Sequence, residues 1–457
     1  MSNQFKELFG KARIDVSSGM KMDSRRKSNV YADSQQKAIS ESIKKGMHND
    51  SIDAFSKVGL GLESYAEDDM PTIFRDVKAE LRKVFFKKTE VNEAIGCHPD
   101  FDDLRSNDEL RNGYAVTMFF DIAGSTKLGK TYPPDIVFNI KNTIIRYVIE
   151  IIQAFDGHVH RIMGDAVMAF FRSEAKSIEG KKIDSAIDAI NAAVYILEFM
   201  EQVIRPELGD QGSEERIGVR VGIDYAKDDE IVWGNYGVSG AFEVTATSYH
   251  VDVAAKLQQA ADTDTIMIGE NLKSLLGLGT EYLFTKCKLV KNEDGTEFKR
   301  YYRYVKPNYR VRGAQINYPQ YVFDSAAYFK FLPYGIESRS ISVVLTATLN
   351  NVEKKFYCPC SESLDKGMSL NFHVTFSAPQ GQSYTVKAIK RNTGPEAERN
   401  SALQEEKKDR IMNFYEGQWH ADISESTSYH GLHHMEIKIY DSYDKEVDKT
   451  IFSIFIS

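Results

Sequence analysis

Two aspartates stand at the ends of predicted strands, where carboxylates are able to bind metal ions. Asp121 closes the apolar run YAVTMFFD (114–121), and Asp165 lies in the turn within GHVHRIMGDAVMAFF (157–171). A carboxylate that ends a buried strand is costly unless it is paired or metal-bound. Two such aspartates on adjacent strands would hold two divalent cations about 3.5–4 Å apart, as in-line phosphoryl chemistry requires. Hard oxygen ligands without His or Cys favour Mg²⁺ or Mn²⁺ over zinc.

The residues after Asp121 supply the other part of a triphosphate site. Small residues open a predicted helix there, so that backbone N–H groups and the helix dipole would face phosphate oxygens; they are Ala123, Gly124, Ser125 and Thr126. Either half of the motif alone is more typical of an Asp helix cap followed by a turn. Both halves together, in this order and on these elements, favour the triphosphate site.

The elements around these residues alternate between strands and long amphipathic helices. Strands are predicted at 114–121, on both sides of the Gly164-Asp165 turn, near 216–224 and 230–236, at 265–269, and as a pair near 281–290 and 299–304. Helices are predicted at about 134–155, 181–204 and 248–260. Strands separated by helices of this length indicate an α/β or α+β domain with helices packed on a sheet.

The metal motif resembles the catalytic domain of class III nucleotidyl cyclases, the adenylate and guanylate cyclase group. The resemblance rests on FFDIAGST, followed 44 residues later by Asp165 in HRIMGDAVMAFF, and extends over about 113–305. It implies a ferredoxin-like α/β (α+β) fold, with Asp121, Asp165 and the carbonyl of Ile122 as ligands of two divalent cations. The implied reaction is attack of the ribose 3′-oxygen on the α-phosphorus, with pyrophosphate leaving. It also implies a homodimer with active sites at the interface.

Four positions depart from the pattern of that family. Asp252 stands where the family carries a transition-state Asn, and Lys256, one helical turn later, replaces an Arg that contacts phosphate. An ionised Asp cannot donate a hydrogen bond, and Lys lacks the bidentate fork of Arg. Where the family selects a purine, this sequence has Arg161 and Thr245. Arginine offers only donors, which suit cytosine O2 and N3 better than uracil, whose N3 is itself a donor.

With a β-rich C-terminal region, this combination resembles the Pycsar antiphage cyclases, which make cyclic CMP or cyclic UMP. Alternating strands are predicted at 340–349, 369–378, 383–391, 433–441 and 450–457, which is typical of a β-sandwich. The resemblance implies a sensor domain here, and a separate cyclic-nucleotide-binding effector that reads the product.

Composition excludes several other classes of protein. The 58 Lys and Arg against 66 Asp and Glu give a net charge of −8, which argues against binding nucleic acid through a general basic field. Four cysteines are too few for a disulfide scaffold and indicate a reducing cytoplasm. The polar start MSNQFKELFGK is unlike a signal peptide, and no apolar run reaches the roughly 18 residues of a membrane span.

We therefore expect a cytoplasmic, homodimeric pyrimidine nucleotide cyclase with no nucleic-acid or membrane partner. The predicted domains are a helical lead-in at 1–110, a catalytic domain at 111–305 and a β-sandwich sensor-like domain at 310–457. CTP is the preferred substrate, and the product is the second messenger of an antiphage defence system. The alternatives are a uridylate cyclase, an adenylate cyclase with an altered base pocket, and an inactive nucleotide-binding module, which Asp252 and Lys256 would favour.

Overall fold

The structure is a computed structural model that describes residues 3–16, 76–91, 93–172, 179–209, 217–238, 241–293, 295–306, 309–336, 340–349, 352–407 and 409–457. Part of the predicted helical lead-in at 1–110, including its helix-like stretch near 34–45, lies outside these residues. The α-helices are Asn3–Leu8, Val77–Val84, Ser125–Thr131, Pro134–Ala154, Glu179–Phe199, Arg205–Leu208, Tyr249–Ala260, Glu270–Leu276, Ser325–Phe329 and Pro395–Arg399. Helical conformation also covers residues 10–16. Turns of 3-10 helix lie at Pro99–Ser106, Asp228–Glu230 and Thr280–Tyr282, and a π turn at Met200–Ile204.

A mixed seven-stranded sheet forms the centre of the first large unit. Its strands lie side by side in the order Gly157–Met163, Ala166–Phe171, Ala115–Ala123, Gly218–Ala226, Thr265–Gly269, Gln320–Phe323 and Leu283–Phe284. Gly218–Ala226 runs parallel to Thr265–Gly269, and the other neighbours are antiparallel. With helices packed on it, this sheet confirms the predicted α/β (α+β) fold class.

The two faces of this sheet are covered differently, because side chains alternate along each strand. One face packs against helices Pro134–Ala154 and Glu179–Phe199 through an apolar core that includes Met118, Val221 and Ile268. The opposite face meets helix Tyr249–Ala260, whose backbone comes so close to Gly222 that no β-carbon fits between them. Alternation places Asp121 and Arg220 on this second face.

Strands Val232–Val238 and Ala241–Thr247 form a β-hairpin beside the second face. Arg111–Asn112 pairs with the first of these strands, so that the three make a separate sheet. The second strand of this hairpin is absent from the sequence prediction. Two small hairpins follow, Lys286–Lys291 with Glu297–Tyr302, and Tyr309–Val311 with Ala314–Ile316.

The helical lead-in packs on the first unit. Phe5 and Phe9 of the first helical stretch and Leu81 of helix Val77–Val84 are buried in its main core. Arg82 pairs with Asp156 at 2.7 Å, and its Nη1 also donates to the last carbonyls of helix Pro134–Ala154.

The C-terminal region is a β-sandwich, as predicted. One sheet has the order Val352–Tyr357, Ile341–Leu349, Ser369–Phe376, Gln418–Ser426 and Asn413–Tyr415. The other has the order Ser363–Leu364, Glu446–Ile456, Gly431–Tyr440, Thr385–Asn392 and Gln404–Glu406, with Arg410–Ile411 also paired to Thr385–Asn392. The inner faces meet in a core that includes Phe372, Ile437 and Phe452.

The two units are continuous with each other. Strand Gln320–Phe323 follows the predicted end of the catalytic domain at 305 but belongs to the seven-stranded sheet. Cys358, Cys360, Leu432 and Phe455 of the sandwich are buried in the same apolar core as the helices of the first unit. The boundary of the predicted domains therefore does not coincide with a break in packing.

Candidate active site

Asp121 and Asp165 lie beside each other at one edge of the second face. Asp121 is the strand residue opposite Ala166, and Asp165 directly precedes Ala166 in the hairpin turn. The Asp165 carbonyl accepts a hydrogen bond from the Ile122 N–H at 3.2 Å, which fixes the turn against the strand. Both side chains keep about a fifth of their surface open to solvent, at 17% and 27%. The structure thus brings together the two predicted carboxylates.

Two cationic side chains contact these carboxylates. Arg220 lies opposite Asp121 on the next strand, and its Nε donates to Asp121 Oδ2 at 3.1 Å, while its Nη2 donates to the same oxygen. Lys141 of helix Pro134–Ala154 places its Nζ 3.6 Å from Asp165 Oδ2. Sequence reasoning missed both residues. Arg220 was visible as a charged residue in the strand GVRVGIDYA, but its partner depends on strand register.

The predicted phosphate-binding segment turns sharply into a helix. Gly124 has φ +80°, the left-handed region that favours glycine, and helix Ser125–Thr131 begins at the next residue. Ala123 and Ser125 are buried, whereas Thr126 is exposed. The Ser125 hydroxyl donates to Asp165. This segment therefore supplies backbone and one hydroxyl group immediately beside the two aspartates.

The donor set suits a hard cation. Two carboxylates, the carbonyl of Ile122 and the hydroxyl of Ser125 offer only oxygen donors. Among the described residues, no group of three or more His, Cys, Asp or Glu side chains is arranged to hold a metal ion. Oxygen ligands of this kind fit Mg²⁺ or Mn²⁺, with substrate oxygens and water as further ligands. The contacts of Asp121 and Asp165 with Arg220 and Lys141 indicate that both carboxylates attract positive charge.

Asp252 and Lys256 belong to the helix that packs on the second face. Both are on helix Tyr249–Ala260, four residues apart and therefore on one side of it. Asp252 is exposed and Lys256 half-buried, while the neighbouring Val253 and Leu257 are buried against the sheet. These two side chains therefore face away from the sheet of their own chain.

Arg161 and Thr245 lie on two strands, Gly157–Met163 and Ala241–Thr247, that side-chain hydrogen bonds join. A β-bulge between Val159 and Arg161 inserts His160 into strand Gly157–Met163. A bulge redirects side chains locally. Here the side chains of both His160 and Arg161 contact strand Ala241–Thr247. His160 Nε2 lies 2.9 Å from Thr245 Oγ1, and Arg161 Nε donates to Glu243 at 2.7 Å. The contact of Arg161 with Glu243 was not predicted from the sequence, because it depends on this bulge.

In the described part of the chain, none of the helices is both long enough and apolar enough to span a membrane.

Comparisons with known proteins match both units. Residues 111–302 match the family model of the adenylate and guanylate cyclase catalytic domain. Residues 320–457 match the model of the adenylyl/guanylyl and SMODS C-terminal sensor domain. A cytidylate cyclase of Escherichia coli is 39% identical over 432 residues, covering 89% of this chain and 91% of that protein. A cytidylate cyclase of Staphylococcus aureus is 34% identical, covering 83% and 87%. The crystal structure of the adenylyl cyclase CyaB from P. aeruginosa is 20% identical, with a TM-score of 0.36, covering 50% of this chain and 97% of that one.

Proposed function

This chain belongs to the cytidylate cyclase family, and we propose that it converts CTP to 3′,5′-cyclic CMP and pyrophosphate. Its relatives of that name match nearly the whole chain. The observation that carries the proposal is the pairing of Asp121 with Asp165 at the edge of a cyclase-type sheet.

We infer that Asp121, Asp165 and the carbonyl of Ile122 hold two divalent cations, Mg²⁺ or Mn²⁺. When bound, such ions lower the pKa of the ribose 3′-hydroxyl and neutralise charge on the phosphates. Ser125 donates to Asp165 and so orients that carboxylate. The turn at Gly124 allows the backbone of Ala123 to Thr126 to approach the triphosphate.

The cationic side chains beside the two carboxylates have a role in binding the substrate in this proposal. Arg220 contacts Asp121, and Lys141 contacts Asp165. Because divalent cations would compete for the same oxygens, the two side chains would be released toward the triphosphate. Their positive charge there would stabilise the leaving pyrophosphate.

Homodimerisation completes the site in this proposal. Asp252 and Lys256 face outward, so they would act in a site whose aspartates belong to a second copy. Exposed apolar side chains lie on the hairpin beside the second face and on strand Gly157–Met163; they are Tyr236, Val238, Phe242, Ile162 and Met163. A cluster of this kind fits a protein interface better than solvent. An isologous dimer would contain two equivalent sites.

We further propose that the sandwich regulates the cyclase in an antiphage defence system. The support is the match of 320–457 to a sensor-domain model and the shared core with the cyclase unit. A diffusible product would then act on a separate cyclic-nucleotide-binding effector, in the cytoplasm and without a nucleic-acid or membrane partner for the cyclase itself.

Product identification tests the function directly. The purified protein is incubated with each of the four ribonucleoside triphosphates and Mn²⁺, and products are identified by mass spectrometry. We expect cyclic CMP as the main product and its loss in Asp121→Ala. Dominant cyclic UMP or cyclic AMP would refute the choice of CTP. Equal product from wild type and Asp121→Ala would refute catalysis at this site.

A further inference from the structure

One sheet of the sandwich carries two histidines in contact on its outer face. His373 lies on strand Ser369–Phe376 and His420 on the neighbouring strand Gln418–Ser426, and each is flanked along its strand by residues of the sandwich core. Nε2 of His373 lies 3.2 Å from Nδ1 of His420. A third of the His373 side chain, 33%, is exposed, so that solvent reaches the pair.

The hydrogen bonds of the other two ring nitrogens show where the protons lie. His373 Nδ1 is 3.0 Å from Oδ1 of Asp422, and Asn371 Nδ2 donates to the same oxygen. Partial burial raises the pKa of Asp422, but these hydrogen bonds lower it by more, so the carboxylate is ionised at pH 7 and only accepts. His420 Nε2 is 3.2 Å from the carbonyl oxygen of Tyr415, which also only accepts. The protonated nitrogens are therefore Nδ1 of His373 and Nε2 of His420.

In neutral rings, the two nitrogens that face each other are both acceptors. A neutral imidazole has one N–H group, and each ring already uses that group on an oxygen. The lone pairs of His373 Nε2 and His420 Nδ1 therefore meet across 3.2 Å without a hydrogen between them. Such a contact is repulsive unless a cation lies between the two nitrogens. A metal ion or a shared proton would remove the repulsion, and the two differ in their response to added metal.

We propose that His373 Nε2 and His420 Nδ1 bind one Zn²⁺ ion, with water in its remaining positions. Two nitrogen ligands of a tetrahedral Zn²⁺ ion, each about 2.0–2.1 Å from the metal, stand about 3.3 Å apart, close to the 3.2 Å observed. Histidines that bind metals donate their other N–H to a carboxylate or a backbone carbonyl, which fixes the ring. Asp422 does this for His373, and the Tyr415 carbonyl does it for His420.

The ligand type separates this site from the aspartate pair. Imidazole nitrogen suits Zn²⁺, whereas carboxylate and carbonyl oxygens suit Mg²⁺ and Mn²⁺. Asp422 orients His373 and is not itself a ligand, so the ion has two protein ligands. This agrees with the lack of any three-residue metal group in the part of the chain that the structure describes. A Zn²⁺ ion here would join two neighbouring strands of the sandwich and stabilise it.

Calorimetric titration of the full-length protein with Zn²⁺ tests the site. The protein is first freed of bound metal with a chelator, and excess Mg²⁺ is then added to occupy the aspartate pair. We expect wild type to bind one more Zn²⁺ ion per chain than His373→Ala or His420→Ala. Asp422→Ala keeps both ligands and should weaken this binding about 10- to 100-fold, the usual effect of losing the partner of a metal-bound histidine. Thermal melting without Zn²⁺ checks that each variant folds, and Zn²⁺ should raise the melting temperature of wild type more than that of the histidine variants.

His430→Ala is the matched control. His430 is a half-buried histidine of the same sandwich, and its Nδ1 lies 2.9 Å from the carbonyl oxygen of Ile456. This variant should bind as many Zn²⁺ ions as wild type. Equal Zn²⁺ binding by wild type, His373→Ala and His420→Ala would overturn the site and leave a shared proton as the cation between the rings. The site does not depend on the proposed function, since the products formed from nucleoside triphosphates test that function separately.

Discussion

Arg220 illustrates how a single residue is able to couple metal binding to nucleotide binding. Its fork lies on Asp121, the carboxylate that the proposal assigns to metal binding. One side chain cannot serve Asp121 and the triphosphate at once, so binding of a cation and movement of Arg220 are coupled. Removing the side chain should therefore affect metal and nucleotide in opposite directions.

We expect Arg220→Ala to bind Mn²⁺ more tightly and CTP more weakly. The Asp121 carboxylate loses its competitor, so the apparent dissociation constant for Mn²⁺ falls. The triphosphate loses a charged hydrogen bond of about 1.5–3 kcal/mol, so kcat/KM for CTP drops about 10- to 150-fold. Calorimetric titration with Mn²⁺ and steady-state kinetics measure the two effects. Weaker Mn²⁺ binding in the variant would contradict the competition.

His434 determines part of the acid sensitivity of the protein. It is buried, its Nδ1 lies 2.6 Å from the Ser453 hydroxyl, and its Nε2 contacts the Tyr282 hydroxyl of the cyclase unit. Burial, reinforced by His433 and Arg391, lowers the pKa of His434 to about 3, against about 6.5 in the unfolded chain. Between about pH 3 and pH 6.5, His434 therefore binds a proton in the unfolded state but not in the folded state. The stabilisation by neutral His434 is complete above pH 6.5 and declines as the pH falls.

The contribution of His434 is measured as the change in the free energy of unfolding between pH 7 and pH 4. One such histidine contributes a slope of about 1.4 kcal/mol per pH unit below pH 6. In His434→Gln the slope should be smaller by about that amount, while buried His433 and His98 maintain the remainder. An unchanged slope in the variant would mean that His434 takes up its proton in the folded state.

At the scale of elements, the sequence predicted most helices and strands of the cyclase unit within a few residues. The predictions succeeded where apolar periodicity was strong, as in Pro134–Ala154 and Thr265–Gly269. Strand Ala241–Thr247 was missed, although Val244 and Ala246 alternate with Glu243 and Thr245 as in a half-buried strand. It directly precedes helix Tyr249–Ala260, and among the described residues it pairs only with Val232–Val238.

The candidate site could be predicted only where its residues belong to a recognisable motif. Asp121 ended a predicted strand and Asp165 lay in a predicted turn, and the family resemblance assigned both to one metal site, although the strand pairing that joins them spans 44 residues. Arg220 and Glu243 could not be assigned in this way. The contact of Arg220 with Asp121 depends on the register of two neighbouring strands. The contact of Glu243 with Arg161 depends on the single inserted residue His160.

Helix Tyr249–Ala260 should be sensitive to its closest contact with the sheet. A β-carbon at Gly222 would fall within the backbone of Gln258 and Ala254, which cannot move aside as a side chain could. We expect Gly222→Ala to lower the free energy of unfolding by about 3 kcal/mol, through overpacking. Chemical denaturation measures the change.

Gly129→Ala is the control for this prediction. Gly129 lies in helix Ser125–Thr131 with open space where its β-carbon would stand. The same substitution there should stabilise the protein by about 0.5–1 kcal/mol, because alanine is the better helix former. Equal changes in the free energy of unfolding for Gly222→Ala and Gly129→Ala would show that helix Tyr249–Ala260 leaves room for a β-carbon at Gly222.

At the scale of the whole molecule, polar contacts reinforce the core that the cyclase and sandwich units share. Asn191 of helix Glu179–Phe199 donates to the Cys360 carbonyl and accepts from the Tyr328 hydroxyl, both at 2.9 Å and all within the interior. Ser363 of the sandwich donates its N–H to Asp184 of the same helix at 2.7 Å. A helix bonded in this way to both units is able to transmit strain between them. The packing of the sandwich is thus coupled to that of the cyclase unit.

We therefore expect the two units to unfold together. The chain has two tryptophans, Trp233 in the hairpin beside the cyclase sheet and Trp419 in the sandwich, both buried. Trp233→Phe and Trp419→Phe leave one fluorescent reporter in each unit. Because the core of the cyclase unit continues into the sandwich, denaturant should shift both reporters at the same midpoint, once the stability change of each substitution is corrected with circular dichroism of the same variant. Midpoints that still differ would mean that each unit folds alone and that the shared core contributes little free energy.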